Sequence, residues 1–314
     1  MRVLFATDGS RSADRARDLL GRLPWPGGTR FCVVCALEPR GELFIAPWMM
    51  PAGEALDSVE SEYLRQADVT LDDAVRILEG PGRAVEQITL RGRPASAIVE
   101  EARAWSADLL VLGNRGHGSI ASMVLGSVSA EVVDHAPCPV LVVRGEAVDS
   151  IVFAEDGSPG AANAAHALRT WPVFRGLPVA VVSVAETALA PFAGIAAGLA
   201  DEVMLSYAKD VETAREQTRA LAARSADEFT TAGLIAAPHL LEGDPAHEIV
   251  EFARARPGSL VAVGTRGHGG LTRLILGSVA RNVLHHAPNS VLVVRESSET
   301  AAAEESQRPT AGTA

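Results

Sequence analysis

Two stretches of this chain space their glycines in a way that suits phosphate. Gly113, Gly116, Gly126 and Ser127 spell G-x2-G-x9-G-S, and Gly264, Gly267, Gly277 and Ser278 spell it again. Glycine lets a backbone turn through angles that other residues resist, and it leaves room for phosphate oxygens close to the chain. The closing Gly-Ser pairs, followed by Val128 and Val279, stand where helices begin. Free N–H groups and the positive end of a helix dipole favour an anion there. The serine hydroxyl can donate to that anion or cap the helix. Neither loop contains the lysine of a G-x4-G-K-[S/T] phosphate loop, the residue that reaches the terminal phosphates in P-loop ATPases. The chemistry written here is therefore binding, not hydrolysis.

Other polar residues cluster around the same loops. Asp8 and Asp156 each close a short apolar run and precede Gly-Ser; a carboxylate there can accept hydrogen bonds from ribose hydroxyls or cap the following helix. Arg115 and Arg266 lie inside the loops, either as planar donor forks for phosphate or as solvated arginines. His117 and His268 have no orienting carboxylate nearby in sequence and read as turn formers. His135 and His286 fall where helices end, which suits a dipole partner. Cys32 and Cys35 resemble a redox pair, but they lie in the apolar run Phe31–Cys35. Residues three apart on a strand point to opposite faces, so a pair of separate core thiols is expected. No His/Cys spacing fits zinc.

The elements that must position these groups also repeat. The loops and the segments after them recur at a constant offset of 151 residues, and Asp8-Gly9-Ser10 recurs at 148. A period this long means domain duplication, and a length of 314 residues accommodates two domains. In the first copy, apolar runs near 2–7, 30–37, 84–90, 108–113 and 139–144 read as strands. Helical spacing covers 11–22, about 54–79, 94–105 and 127–135. The second copy places strands near 150–155, 178–184, 236–241, 259–264 and 290–295. Strands alternating with helices imply an α/β fold: two tandem doubly wound, Rossmann-like domains, each a five-stranded parallel sheet of order 3-2-1-4-5 with helices on both faces. That order brings the ends of strands 1 and 4, hence Asp8 and Gly113, to the crevice where the winding reverses. We expect domains over 1–146 and 147–296 and a disordered tail over 297–314. The stretches 38–53 and 186–198 are irregular, and the first carries an apolar cluster that either packs on its own domain or forms a lid or partner contact.

Composition narrows the function. A formal charge of −11 leaves no basic surplus for general nucleic-acid or anionic-membrane binding. There is no leader-like segment and no apolar run of membrane-spanning length, so the expected location is cytoplasmic. The apolar last strands, Val140–Val143 and Val291–Val294, would be exposed edges that seek partners.

The Asp-Gly-Ser start, Gly92-x-Pro94, Asp108 through Gly113, G-x2-G-x9-G-S and the Ala-Pro-x-x-Val-Leu-Val-Val ending resemble the universal stress protein family, in its tandem form and its ATP-binding subgroup. The resemblance covers nearly the whole chain. It implies ATP with Mg2+ or another divalent cation in each domain. Asp8 would face the ribose and Ala36 the adenine, while Gly113, Gly116, Gly126, Ser127 and Val128 line the phosphates. The second set would be Asp156, Val184, Gly264, Gly267, Gly277, Ser278 and Val279. The family's last strand mediates dimerisation, so the two copies resemble a dimer fused into one chain, with a further homodimer expected. Glu155 stands where the first copy has Thr7, which would set a carboxylate beside the second site and make the two unequal. The function expected is an ATP-dependent regulatory switch; slow ATP hydrolysis and a nucleotide-independent dimerising scaffold are the alternatives.

Overall fold

The computed structural model describes residues 1–38, 54–116, 125–186, 201–265 and 276–295, with backbone alone for 54–60 and 201–207. The stretches 39–53 and 187–200, the tail over 297–314, and His117, Arg266, Gly267 and His268 lie outside the described residues.

The first copy runs β1 (Arg2–Ala6), α1 (Arg11–Arg22), β2 (Arg30–Leu37), α2 (Glu54–Leu78), β3 (Ala84–Arg91), α3 (Pro94–Ala104), β4 (Leu109–Gly113), α4 (Ser127–His135) and β5 (Val140–Val143). The second runs β6 (Ser150–Ala154), α5 (Pro159–Thr170), β7 (Pro178–Ala185), α6 (Asp201–Thr231), β8 (Ile235–Glu242), α7 (Pro245–Arg254), β9 (Ser259–Gly264), α8 (Ser278–His286) and β10 (Ser290–Val294). A 3-10 turn, Pro172–Phe174, follows α5.

Within each copy the strands are parallel and lie in the expected order. The two sheets do not remain separate. They form one ten-stranded sheet of order β3-β2-β1-β4-β5-β10-β9-β6-β7-β8. The seam is the antiparallel pair β5–β10, with Leu141 opposite Leu292. The strands expected to be exposed edges are thus the centre of the sheet: each copy's last strand satisfies the other's open hydrogen-bonding row.

Strand alternation then sorts the core. Val3 and Phe5 pack with α1 and α2 on one face, while Leu4 and Ala6 pack with α3 and α4 on the other. Helices α5 and α6 share the first face, and α7 and α8 the second. Cys35 belongs to the first face and Cys32 to the second, so the two thiols do not meet. Burial pushes Cys32 up to about 12 and Cys35 to about 11, which keeps both protonated and inert.

Two arginines brace the seam. Arg144, just past β5, donates to the carbonyl oxygens of Leu284, in the last turn of α8, and Asn289. Arg295, just past β10, donates to the carbonyls of Val133 (3.0 Å) and Asp134 (2.8 Å) at the end of α4. Each copy thereby covers the open C-terminal carbonyls of the other's last helix, where a cation also meets the negative end of the dipole. His135 and His286 turn their Nδ1 atoms toward carbonyls one turn back, 2.8 and 2.9 Å away, as helix ends favour.

Candidate functional site

The start of α1 is built by a short relay. Asp8 Oδ1 accepts the N–H of Ser10 at 3.0 Å, and Ser10 Oγ accepts the N–H of Ala13 at 3.3 Å. The N-cap is therefore Ser10; Asp8 is held one step before the helix. Asp156 and Ser158 repeat this at α5, with distances of 3.0 and 3.1 Å. A helix cap thus does not account for either aspartate.

The loop after β4 hangs from both neighbouring helices. Ser12 Oγ donates to Asn114 Oδ1 at 2.7 Å and accepts the N–H of Arg115 at 3.3 Å. Ser10 Oγ donates to the Arg115 carbonyl at 3.2 Å. On the far side, Gly126 N–H donates to the Asn114 carbonyl at 2.8 Å, and Ser129 Oγ to the Gly113 carbonyl at 2.9 Å. These contacts pin the chain on both sides of residues 117–124, which lie outside the described residues.

The glycines have particular neighbours. A methyl on Gly113 would fall 2.6 Å from Ser12 Oγ and 2.7 Å from its carbonyl carbon. The missing side chain there admits the start of α1. A methyl on Gly116 would fall 2.5 Å from Asp8 Oδ2, so this glycine lets the loop lie against the carboxylate. Gly126 is the N-cap of α4 and makes no side-chain cap bond, which puts Ser127 at the first helical position. Ser127 does not cap the helix; its hydroxyl stands at the open N-terminal end.

Between these walls lies a cleft of about 450 Å³. Asp8, Gly113, Arg115, Gly116, Gly126, Ser127 and Val128 all border it, and Ala36, near the end of β2, joins them. The sheet order brings together eight residues that span more than ninety positions of sequence. Sequence reasoning missed the apolar floor, Ile98 and Leu112, and the anchoring residues Ser12 and Asn114. Ile98 had a signal, its helical spacing after Pro94; Ser12 read only as a helix residue.

In the second copy, Asp156 follows the end of β6, Val184 lies in β7, Gly264 ends β9, and Gly277, Ser278 and Val279 open α8. Gly277 is again an N-cap without a side-chain bond. Arg266 and Gly267 lie outside the described residues. The anchoring differs. Gly160 replaces Ser12, Thr265 replaces Asn114 and Ala280 replaces Ser129. Glu155 is 9% exposed and hydrogen-bonded to Ser225 of α6, its Oε1 accepts the Gly157 N–H at 2.8 Å, and the charge of Asp156 acts on it. Burial, the largest influence, raises its affinity for a proton. Its counterpart Thr7 borders the cleft of the first copy. Unequal anchoring of the loops is thus a second difference between the two copies, beside the Glu155 carboxylate.

The comparisons agree with this architecture. The model of the universal stress protein family matches residues 1–144 and again 147–295. A universal stress protein of Thermus aquaticus is 38% identical over 146 residues, covering 45% of this chain and 97% of its own. One from Mycobacterium tuberculosis is 30% identical over 248 residues, covering 72% of this chain and 75% of its own. A universal stress protein structure from Archaeoglobus fulgidus superposes with a TM-score of 0.64 at 19% identity, covering 94% of this chain and 98% of its own, which speaks to the fold. Matched twice along its length and folded as those proteins are, the chain belongs to the universal stress protein family.

Proposed function

We propose that each domain binds ATP and that occupancy of the two sites regulates which partners the chain engages. The observation that carries this reading is the meeting of Asp8 and the glycine loop at one cleft, at the point where the winding of the sheet reverses. The cleft suits the ligand in parts. Ala36, Ile98 and Leu112 offer an apolar floor for a base, Asp8 an acceptor for ribose hydroxyls, and the Ser127 end of α4 free N–H groups for phosphate. Among the described residues no group of three or more His, Cys, Asp or Glu side chains stands ready for a metal ion. Mg2+ would then be carried chiefly by the phosphates and water, as it commonly is.

Binding is favoured over turnover because no lysine lines the cleft among the described residues. The reading places the protein in the cytoplasm, as a homodimer whose contact is not the last strands, since those already pair within the chain. Among the described residues no helix is long and apolar enough to cross a membrane. Calorimetry with ATP and Mg2+, and mass spectrometry of nucleotide extracted from purified protein, test the proposal. Saturable binding that Ser127→Ala and Ser278→Ala weaken is the expected result. Absence of both bound and titratable nucleotide overturns it.

A further inference from the structure

We propose that the phosphate end of the first site continues past Arg115 into a second pocket, and that this pocket takes an additional phosphate group. The inference rests on ATP occupying the cleft. The second pocket, about 400 Å³, shares Arg115 and Gly116 with the first, and Arg11 and Arg15 of α1 line it opposite the loop.

Three features give it an anionic occupant. Arg11 and Arg15 stand one turn apart on one helix face, so their charges repel. Arg11 also stands at the first position of α1, the end where a helix dipole disfavours cations. Among the described residues neither makes an ion pair, whereas their neighbour Arg17 is held by Asp14 at 3.0 Å and Asp18 at 2.9 Å. Two guanidinium groups set against each other, one of them also against the dipole, in a chain of net charge −11, form a local basic pocket that a phosphate would neutralise. Their planar forks match phosphate oxygens in pairs. The second domain provides the contrast. At the matching positions it has Pro159 and Asn163, so both helix arginines are gone.

The extra phosphate can be the next unit of a longer chain on the nucleotide or a separate polyphosphate. Calorimetry separates these with ATP, adenosine 5′-tetraphosphate and inorganic tripolyphosphate, on the full chain and on an R11Q/R15Q variant. Both side chains are exposed, so the variant keeps its fold. For a longer chain, one of the two sites should prefer the tetraphosphate over ATP by about tenfold, and the variant should lose that preference while ATP affinity stays within about twofold. For a separate anion, tripolyphosphate should bind alongside saturating ATP and fail to bind the variant. Equal affinities for both nucleotides, in wild type and variant alike, together with no arginine-dependent tripolyphosphate binding, overturn the proposal. If neither nucleotide binds, the ATP reading fails; tripolyphosphate binding that disappears in the variant still supports the pocket, and its absence overturns that too.

Discussion

Ser12, in the first turn of α1, donates its hydroxyl to Asn114 Oδ1 at 2.7 Å, although 102 residues separate them. Both side chains are buried, at 6% and 4% exposure. The bond ties the end of β4 to the start of α1, and it carries the loop that borders the cleft.

Ser12→Ala leaves the Asn114 oxygen buried without its donor and removes an acceptor from Arg115 N–H. The expected cost is about 2 kcal/mol of stability, read by urea denaturation. Weaker nucleotide binding at the first site should accompany it. Ser129→Ala should cost less, about 1 kcal/mol, because the second domain already folds with Ala280 at that place.

Two glycines of one loop should respond differently to alanine. At Gly113 the new methyl meets Ser12 backbone at 2.7 Å, so Gly113→Ala should destabilise by about 1–3 kcal/mol through forced displacement of α1. At Gly116 it meets only the far end of the Asp8 side chain, 2.5 Å away. Gly116→Ala should preserve the circular dichroism spectrum and the denaturation midpoint while lowering calorimetric stoichiometry from two nucleotides to one. A Gly116→Ala chain that still binds two would show that Asp8 is not where the ligand sits.

The seam should depend on its arginines. Arg144→Ala uncovers the carbonyls of Leu284 and Asn289, and Arg295→Ala those of Val133 and Asp134. A loss of about 1–3 kcal/mol is expected for each, from hydrogen bonds to a charged group. Arg144 is held at a cost, since burial and the nearby Arg115 charge push its pKa down to about 10. Arg144→Met, which removes the charge but keeps apolar bulk, should therefore be milder than Arg144→Ala. Denaturation midpoints of the three variants provide the check.

Glu155 makes the stability of the second domain depend on pH. Its folded-state proton affinity is raised above the ordinary 4.5, chiefly by burial. The folded state then holds a proton that the unfolded state releases, so this contribution is complete below pH 4.5 and is lost as pH rises through the higher folded value. Glu155→Gln removes the titration and still offers an oxygen to Gly157 N–H. The variant should be more stable than the parent at pH 7, with the gap narrowing toward pH 4. Parallel melting curves across that range would contradict the assignment.

Much of the architecture was legible in the residues. Apolar runs about five to eight residues long, helical spacing such as Ala13–Ala16–Leu19–Leu20, and Pro94 at a helix start each report local physics, and local physics needs only neighbouring residues. The duplication was legible for a different reason: two copies in one chain act as each other's control. The family resemblance followed from the same motifs. The division of Cys32 and Cys35 between opposite faces follows from a period of two along β2.

Other properties are not written in any one stretch of sequence. By sequence Asp8 could cap α1 or contact a ligand; the turn geometry made Ser10 the N-cap and left Asp8 at the cleft. That Glu155 is buried against Ser225 of α6, with its proton affinity raised, depends on how α6 packs over the end of β6. The pairing of Val140–Val143 with Val291–Val294 was already implied by the resemblance to a fused dimer, but that Arg144 and Arg295 cross the seam to brace it is decided only when both domains are folded. Residue types and spacing determined the elements and the phosphate-type loops. Tertiary structure decided which groups face the cleft, because that depends on contacts between residues a hundred or more positions apart.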